Sequence, residues 1–113
     1  EWAAEDINRL STALAALSSA GGEMEKLRPI FQIAHDMKGQ GGSFGYQLIT
    51  VIGDKLCRFV EPLEKVGAAE LEVIRIHVDS MQLVIAKRIK GDGGADGATL
   101  LKGLEMVVAK RSR

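Results

Sequence analysis

An all-α fold is what this sequence predicts, on three observations. Apolar residues recur every three or four positions along nearly the whole chain, the spacing that lines one face of a helix. No stretch of any length alternates apolar and polar residues as a half-buried strand does. Glycine pairs and clusters, at Gly21-Gly22, at Gly41-Gly42 and over 91–97, supply the breaks between the periodic segments.

Each element follows from its own spacing. The first helix is expected over 2–18, where Ile7, Leu10, Leu14 and Leu17 form one stripe. The second covers 23–41, with Leu27, Ile30, Ala34 and Met37 as its buried line. Pro29 has no N–H to give, which points to a kink near the N-terminus or a late start. Ser43 is the candidate N-cap of a third helix over 44–65, with Leu48, Ile52, Leu56, Phe59 and Leu63 inward. Pro62 should bend its last turn and Gly67 should stop it. A fourth helix over 68–90 carries Leu71, Ile74, Val78, Met81 and Ile85. The glycine-rich run 91–97 is expected to be a mobile loop. A fifth helix over 98–110 has Leu101, Leu104 and Val108 as its stripe. Helices of this length on short loops run antiparallel to their neighbours. The economical packing is an antiparallel up-down four-helix bundle with one additional helix on an end or side, a single domain over 1–113.

Composition narrows the function. The 113 residues include 15 basic and 15 acidic side chains, a formal net charge of +0. That balance gives no general attraction to nucleic acid or anionic membrane, and neither is expected as a partner. Hydrophobic residues at 46% suffice for one core, and aromatics at 4% mean that Leu, Ile, Val, Ala and Met must build it. Cys57 is the sole cysteine, so no internal disulfide is possible, which suits a reducing compartment. No run approaches ~18 apolar residues, and the N-terminus lacks the layout of a signal peptide, so a cytoplasmic location is expected. The basic tail 110–113 is expected to be a solvated end. Two histidines and one cysteine far apart make no recognised metal site, and no cofactor is expected on this chain.

The segment Ala34-His35-Asp36-Met37-Lys38-Gly39-Gln40-Gly41-Gly42-Ser43-Phe44-Gly45 carries the chemistry. Ala34 and Met37 are core positions, and His35 lies about 100° of helical rotation from Ala34. Its ring is therefore expected at the edge of the buried stripe, reachable from water while its stem is held by packing. Lys38 at i+3 and Gly39 at i+4 neighbour the imidazole, Gly42 continues the same face, and Phe31 at i−4 lies on the other side. Lys38 would attract a phosphoryl group and stabilise the anion once formed. Each glycine in a helix costs about 0.5–1 kcal/mol relative to alanine. Glycines beside a histidine thus trade stability for access by a partner backbone.

His35-x-x-Lys38-Gly39 followed by Gly45 resembles the signature of histidine-containing phosphotransfer (Hpt) domains, which carry it on one helix of an antiparallel four-helix bundle. The resemblance is close over the second and third helices and architectural elsewhere. It implies that His35 accepts a phosphoryl group on Nε2 from the phospho-aspartate of a response-regulator receiver domain and passes it to another receiver. A neutral imidazole has the lone pair this needs, and such transfer depends on positioning and charge stabilisation. Mg²⁺ and most catalytic groups would come from the receiver, so the chain would be a phosphocarrier rather than an enzyme, monomeric, with receivers and a hybrid sensor kinase as partners. The docking surface is expected around His35, with Phe31, Gln32, Gly39, Gly42, Phe44 and Tyr46. Some family members orient the histidine with a glutamine on the facing helix. Cys57 stands at that position here and is a weak hydrogen-bond partner; another group orients the ring, or it is held loosely.

Other histidine chemistry competes with this reading. In the dimerisation-phosphoacceptor domain of sensor kinases an acidic residue follows the histidine, as Asp36 does, but a proline comes about five residues after the histidine, where this chain has Gln40. A helical adaptor would leave His35 incidental. An enzyme using His35 as general base lacks a second catalytic group at a readable spacing. His77 has no Lys-Gly neighbour and is expected to be a packed or half-exposed structural histidine, and Cys57 a buried small apolar residue.

Overall fold

A computed structural model describes the backbone of residues 2–111 and the side chains of residues 4–110; the end of the basic tail lies outside them. Among the described residues five α-helices follow one another: α1 (Trp2–Ser19), α2 (Leu27–Gly41), α3 (Gln47–Val60), α4 (Ala68–Ala86) and α5 (Gly94–Arg111). No strand occurs among the described residues. The first four make a cycle of neighbours, α1 on α2, α2 on α3, α3 on α4 and α4 on α1, while α5 lies against α4 and α3. One buried cluster draws on all five, with Leu10, Leu17, Ile30, Met37, Ile52, Ile74 and Leu104 among its members. The helix stripes read from the spacing are the faces that meet in it.

The helix ends differ from expectation, for local reasons. A 3-10 turn, Met24–Lys26, precedes α2, which starts late at Leu27. Pro29 then falls in the first turn, where an N–H has no partner within the helix. Beyond α2 the chain makes a second 3-10 turn, Gly42–Phe44. Gly45 follows in the left-handed region at φ 82, open to glycine at no steric cost. Ser43 is inside that turn and does not cap α3, whose N-cap is Tyr46. Helix α3 stops at Val60 because Pro62 cannot extend the hydrogen-bond ladder. Gly67 begins α4 rather than ending α3: its N–H donates to Glu70 Oε1 at 2.7 Å, half of a capping box.

At the other end α4 closes at Ala86, with Lys87 N–H on Leu83 O and Ile89 N–H on Val84 O. The glycine-rich run is not wholly loop. Asp92 Oδ1 accepts the Gly94 N–H at 2.9 Å, a side-chain turn just before α5, and Gly97 N–H makes the first helical bond to Gly93 O at 3.0 Å inside the run. Nearby, Gly91 N–H donates to Gly45 O at 2.7 Å and Leu48 N–H to Gly91 O at 3.1 Å. The α4–α5 connection is thereby pinned to the α2–α3 corner.

Candidate functional site

Helix α2 buries Leu27, Ile30, Ile33, Ala34, Met37 and Gly41. His35 is turned off that stripe and is exposed, as its rotation from Ala34 requires. The ring lies against Phe31, one turn earlier, with centroids 6.2 Å apart and planes 12° from parallel. Phe31 is itself half-buried, so a partly anchored ring backs the imidazole.

Gly39, one turn on, is exposed, and a Cβ there would meet nothing within 4 Å. The clearance beside His35 is therefore real space. Gly42 is also exposed, its Cβ position 3.8 Å from Thr50 Oγ1, though it belongs to the 3-10 turn rather than to α2. The glycines that let α2 and α3 close on each other are different ones. A Cβ on Gly41 would lie 2.8 Å from Thr50 N and 2.9 Å from Tyr46 O. One on Gly53 would lie 3.1 Å from Ala34 O and 3.2 Å from Lys38 Cβ.

That close approach determines where Lys38 goes. Its stem passes over Gly53, and its ammonium pairs with Asp54 Oδ1 at 2.9 Å. Arg58, one turn along α3, holds the other carboxylate oxygen, Nε to Oδ2 at 3.0 Å. The Lys38 hydrogen bond, helped by the Arg58 charge, holds the Asp54 carboxyl below its ordinary range against the opposing effect of burial. Lys38 is thus a paired cation rather than a free one.

Cys57 is buried on α3 and its Sγ lies 3.9 Å from the backbone oxygen of Phe31, the residue whose ring backs His35. Burial pushes its thiol pKa up. The Cys57 thiol meets the Phe31 carbonyl rather than the imidazole, whose neighbouring ring is Phe31.

The remaining predicted docking residues separate. Gln32 is exposed and donates from Nε2 to Asp36 Oδ1 at 3.2 Å. Phe44 is 50% exposed, a large apolar surface. Tyr46 is a correction: only 2% exposed, it sits under Lys90, whose Nζ is 4.0 Å from its ring centroid, and it offers no docking surface. Sequence spacing missed Gly53, Asp54 and Arg58. The i, i+4 pair Asp54–Arg58 was visible as a helical spacing, but its link to Lys38 exists only once the helices cross.

Among the described residues no group of three His, Cys, Asp or Glu is placed to hold a metal ion, and no helix is long and apolar enough to cross a membrane. Comparisons with protein-family models, with curated proteins and with solved structures return no match.

Proposed function

We propose that the chain is a phosphocarrier of the Hpt type, in which α1–α4 run as an antiparallel up-down four-helix bundle and α5 is the additional helix. His35 Nε2 attacks the phosphorus of a receiver's aspartyl phosphate. The P–N bond forms as the P–O bond breaks, and the aspartate carboxylate leaves with its electron pair. The ring proton stays on Nδ1, and the reverse step loads a second receiver. Lys38, held in place by Asp54, stabilises the phosphoryl oxygens, and the partner supplies Mg²⁺ and the other catalytic groups. The protein works as a cytoplasmic monomer between receiver domains and a hybrid sensor kinase.

The observation that carries this reading is an exposed imidazole backed by Phe31 with open space at Gly39. Phe44 extends the contact surface. The test is incubation of the full chain with phosphorylated receiver domains. Acid-labile, base-stable label is expected on the native chain and not on His35→Gln. Label that persists in the variant identifies another acceptor. A native chain that binds receivers but never takes label is a helical adaptor instead, and an obligate dimer in solution points to the sensor-kinase domain.

A further inference from the structure

We propose that the cleft between α3, α4 and α5 is a binding site for a small, largely apolar molecule that carries one N–H or O–H donor. The site is independent of His35 and of phosphotransfer. The cleft is open to solvent on one side and offers about 330 Å³, and Phe59 from α3 and Leu104 and Ala109 from α5 form apolar walls. That volume is at the small end of those that hold organic ligands, enough for a bicyclic aromatic. Across it Lys55 Nζ pairs with Glu105 Oε1 at 3.3 Å. Both are flexible side chains, so the pair can shift to bring an occupant of the open cleft up to the buried ring.

The polar group in the wall that α4 contributes is His77, which is 0% exposed. Its Nδ1 lies 2.8 Å from Val73 O. A carbonyl only accepts, so Nδ1 carries the proton, and Nε2 of the neutral ring is an acceptor. Nε2 is buried and has no hydrogen-bond partner. With Nδ1 turned back along its own helix, Nε2 is left on the opposite edge of the ring, and His77 is among the residues that line the cleft. The Phe59 ring stacks on His77, centroids 6.5 Å apart and planes 14° from parallel, which fixes the imidazole plane.

A buried acceptor without a donor is a cost that folded proteins rarely leave standing. A water here would have Nε2 and the Lys55–Glu105 pair as its polar partners, but those two charges already satisfy each other, and the rest of the wall is mainly hydrocarbon. A wholly apolar occupant would fill the cleft and leave Nε2 unpaired. An apolar body with a single donor satisfies both demands.

The test uses indole, which has an N–H donor, and benzothiophene, a near-isostere without one. Each is titrated into the full-length chain while the His77 ring and the Leu104 methyls are followed by NMR. Saturable shifts are expected, with indole bound about tenfold more tightly than benzothiophene. His77→Phe should abolish the preference, and Ala109→Trp, which fills the cleft, should block both probes. Absence of a saturable shift in the native chain overturns the proposal, as does equal affinity for the two probes. If His77→Phe fails to fold, the native affinity ratio and the Ala109→Trp variant decide. His35→Gln should bind indole as the native chain does, which separates this site from the phosphocarrier reading.

Discussion

His35 and His77 show how one side chain takes opposite characters from its surroundings. His35 keeps its edge in solvent and borrows rigidity from Phe31. An aromatic pair contributes about 0.5–1.5 kcal/mol beyond simple burial. Phe31→Leu should therefore keep the fold and slow labelling of His35 by up to about tenfold, read as the rate of label accumulation from a phosphorylated receiver. Gly39→Ala separates stability from access. The added methyl meets no atom of the protein, so urea unfolding should show a gain of about 0.5–1 kcal/mol, while transfer slows because the clearance beside the ring shrinks. A loss of stability would reveal a contact that the structure lacks. His77 is held neutral because burial pushes its pKa below the ordinary value, opposed by the hydrogen bond to Val73 and reinforced by the nearby Lys55 charge. With the folded pKa below the unfolded one, the unfolded chain binds the proton first as pH falls. Stability is then full above the ordinary histidine range and declines below it, by at most about 1.4 kcal/mol per pH unit. His77→Phe should remove that part of the slope in urea midpoints measured across mildly acidic pH.

The helix pair α2–α3 sets the geometry of the candidate site. A Cβ at Gly41 would press on backbone atoms of Tyr46 and Thr50, which cannot yield as a side chain can. Gly41→Ala should cost about 1–3 kcal/mol by urea unfolding, the opposite sign to Gly39→Ala two residues away. These two glycines look alike in sequence, since both sit at the end of one periodic segment. Only the packed partner tells the open one from the closed one. The same limit explains Lys38, whose spacing from His35 was legible while its partner Asp54 was not, because that contact arises from the crossing at Gly53. The buried stripes of all five helices were legible, since each must find an apolar face. Their ends were not. Ser43 loses to the left-handed turn at Gly45, and the Asp92 side-chain turn leads into α5 from within a segment whose glycines suggested a loop. Tyr46 failed as a surface residue for a related reason: the corner that positions it also folds Lys90 over its ring.

At the scale of the molecule, α1–α4 enclose the core and α5 leans on α4 and α3, which leaves the His77 cleft along its seam. The α5 connection is still firmly anchored, because Gly91 exchanges backbone hydrogen bonds with Gly45 and Leu48. Amide exchange should report this. The Gly91 and Leu48 N–H groups should exchange as slowly as those inside α3, although Gly91 is an exposed residue in a turn. Fast exchange at Gly91 alone would show that the two turns separate freely. Those paired amides also deprive the Phe44 corner of a hinge. Any protein that settles on Phe44 meets a knuckle whose shape was fixed when the chain folded. Little further ordering is required of it, so orientation rather than rearrangement governs how fast such an encounter succeeds.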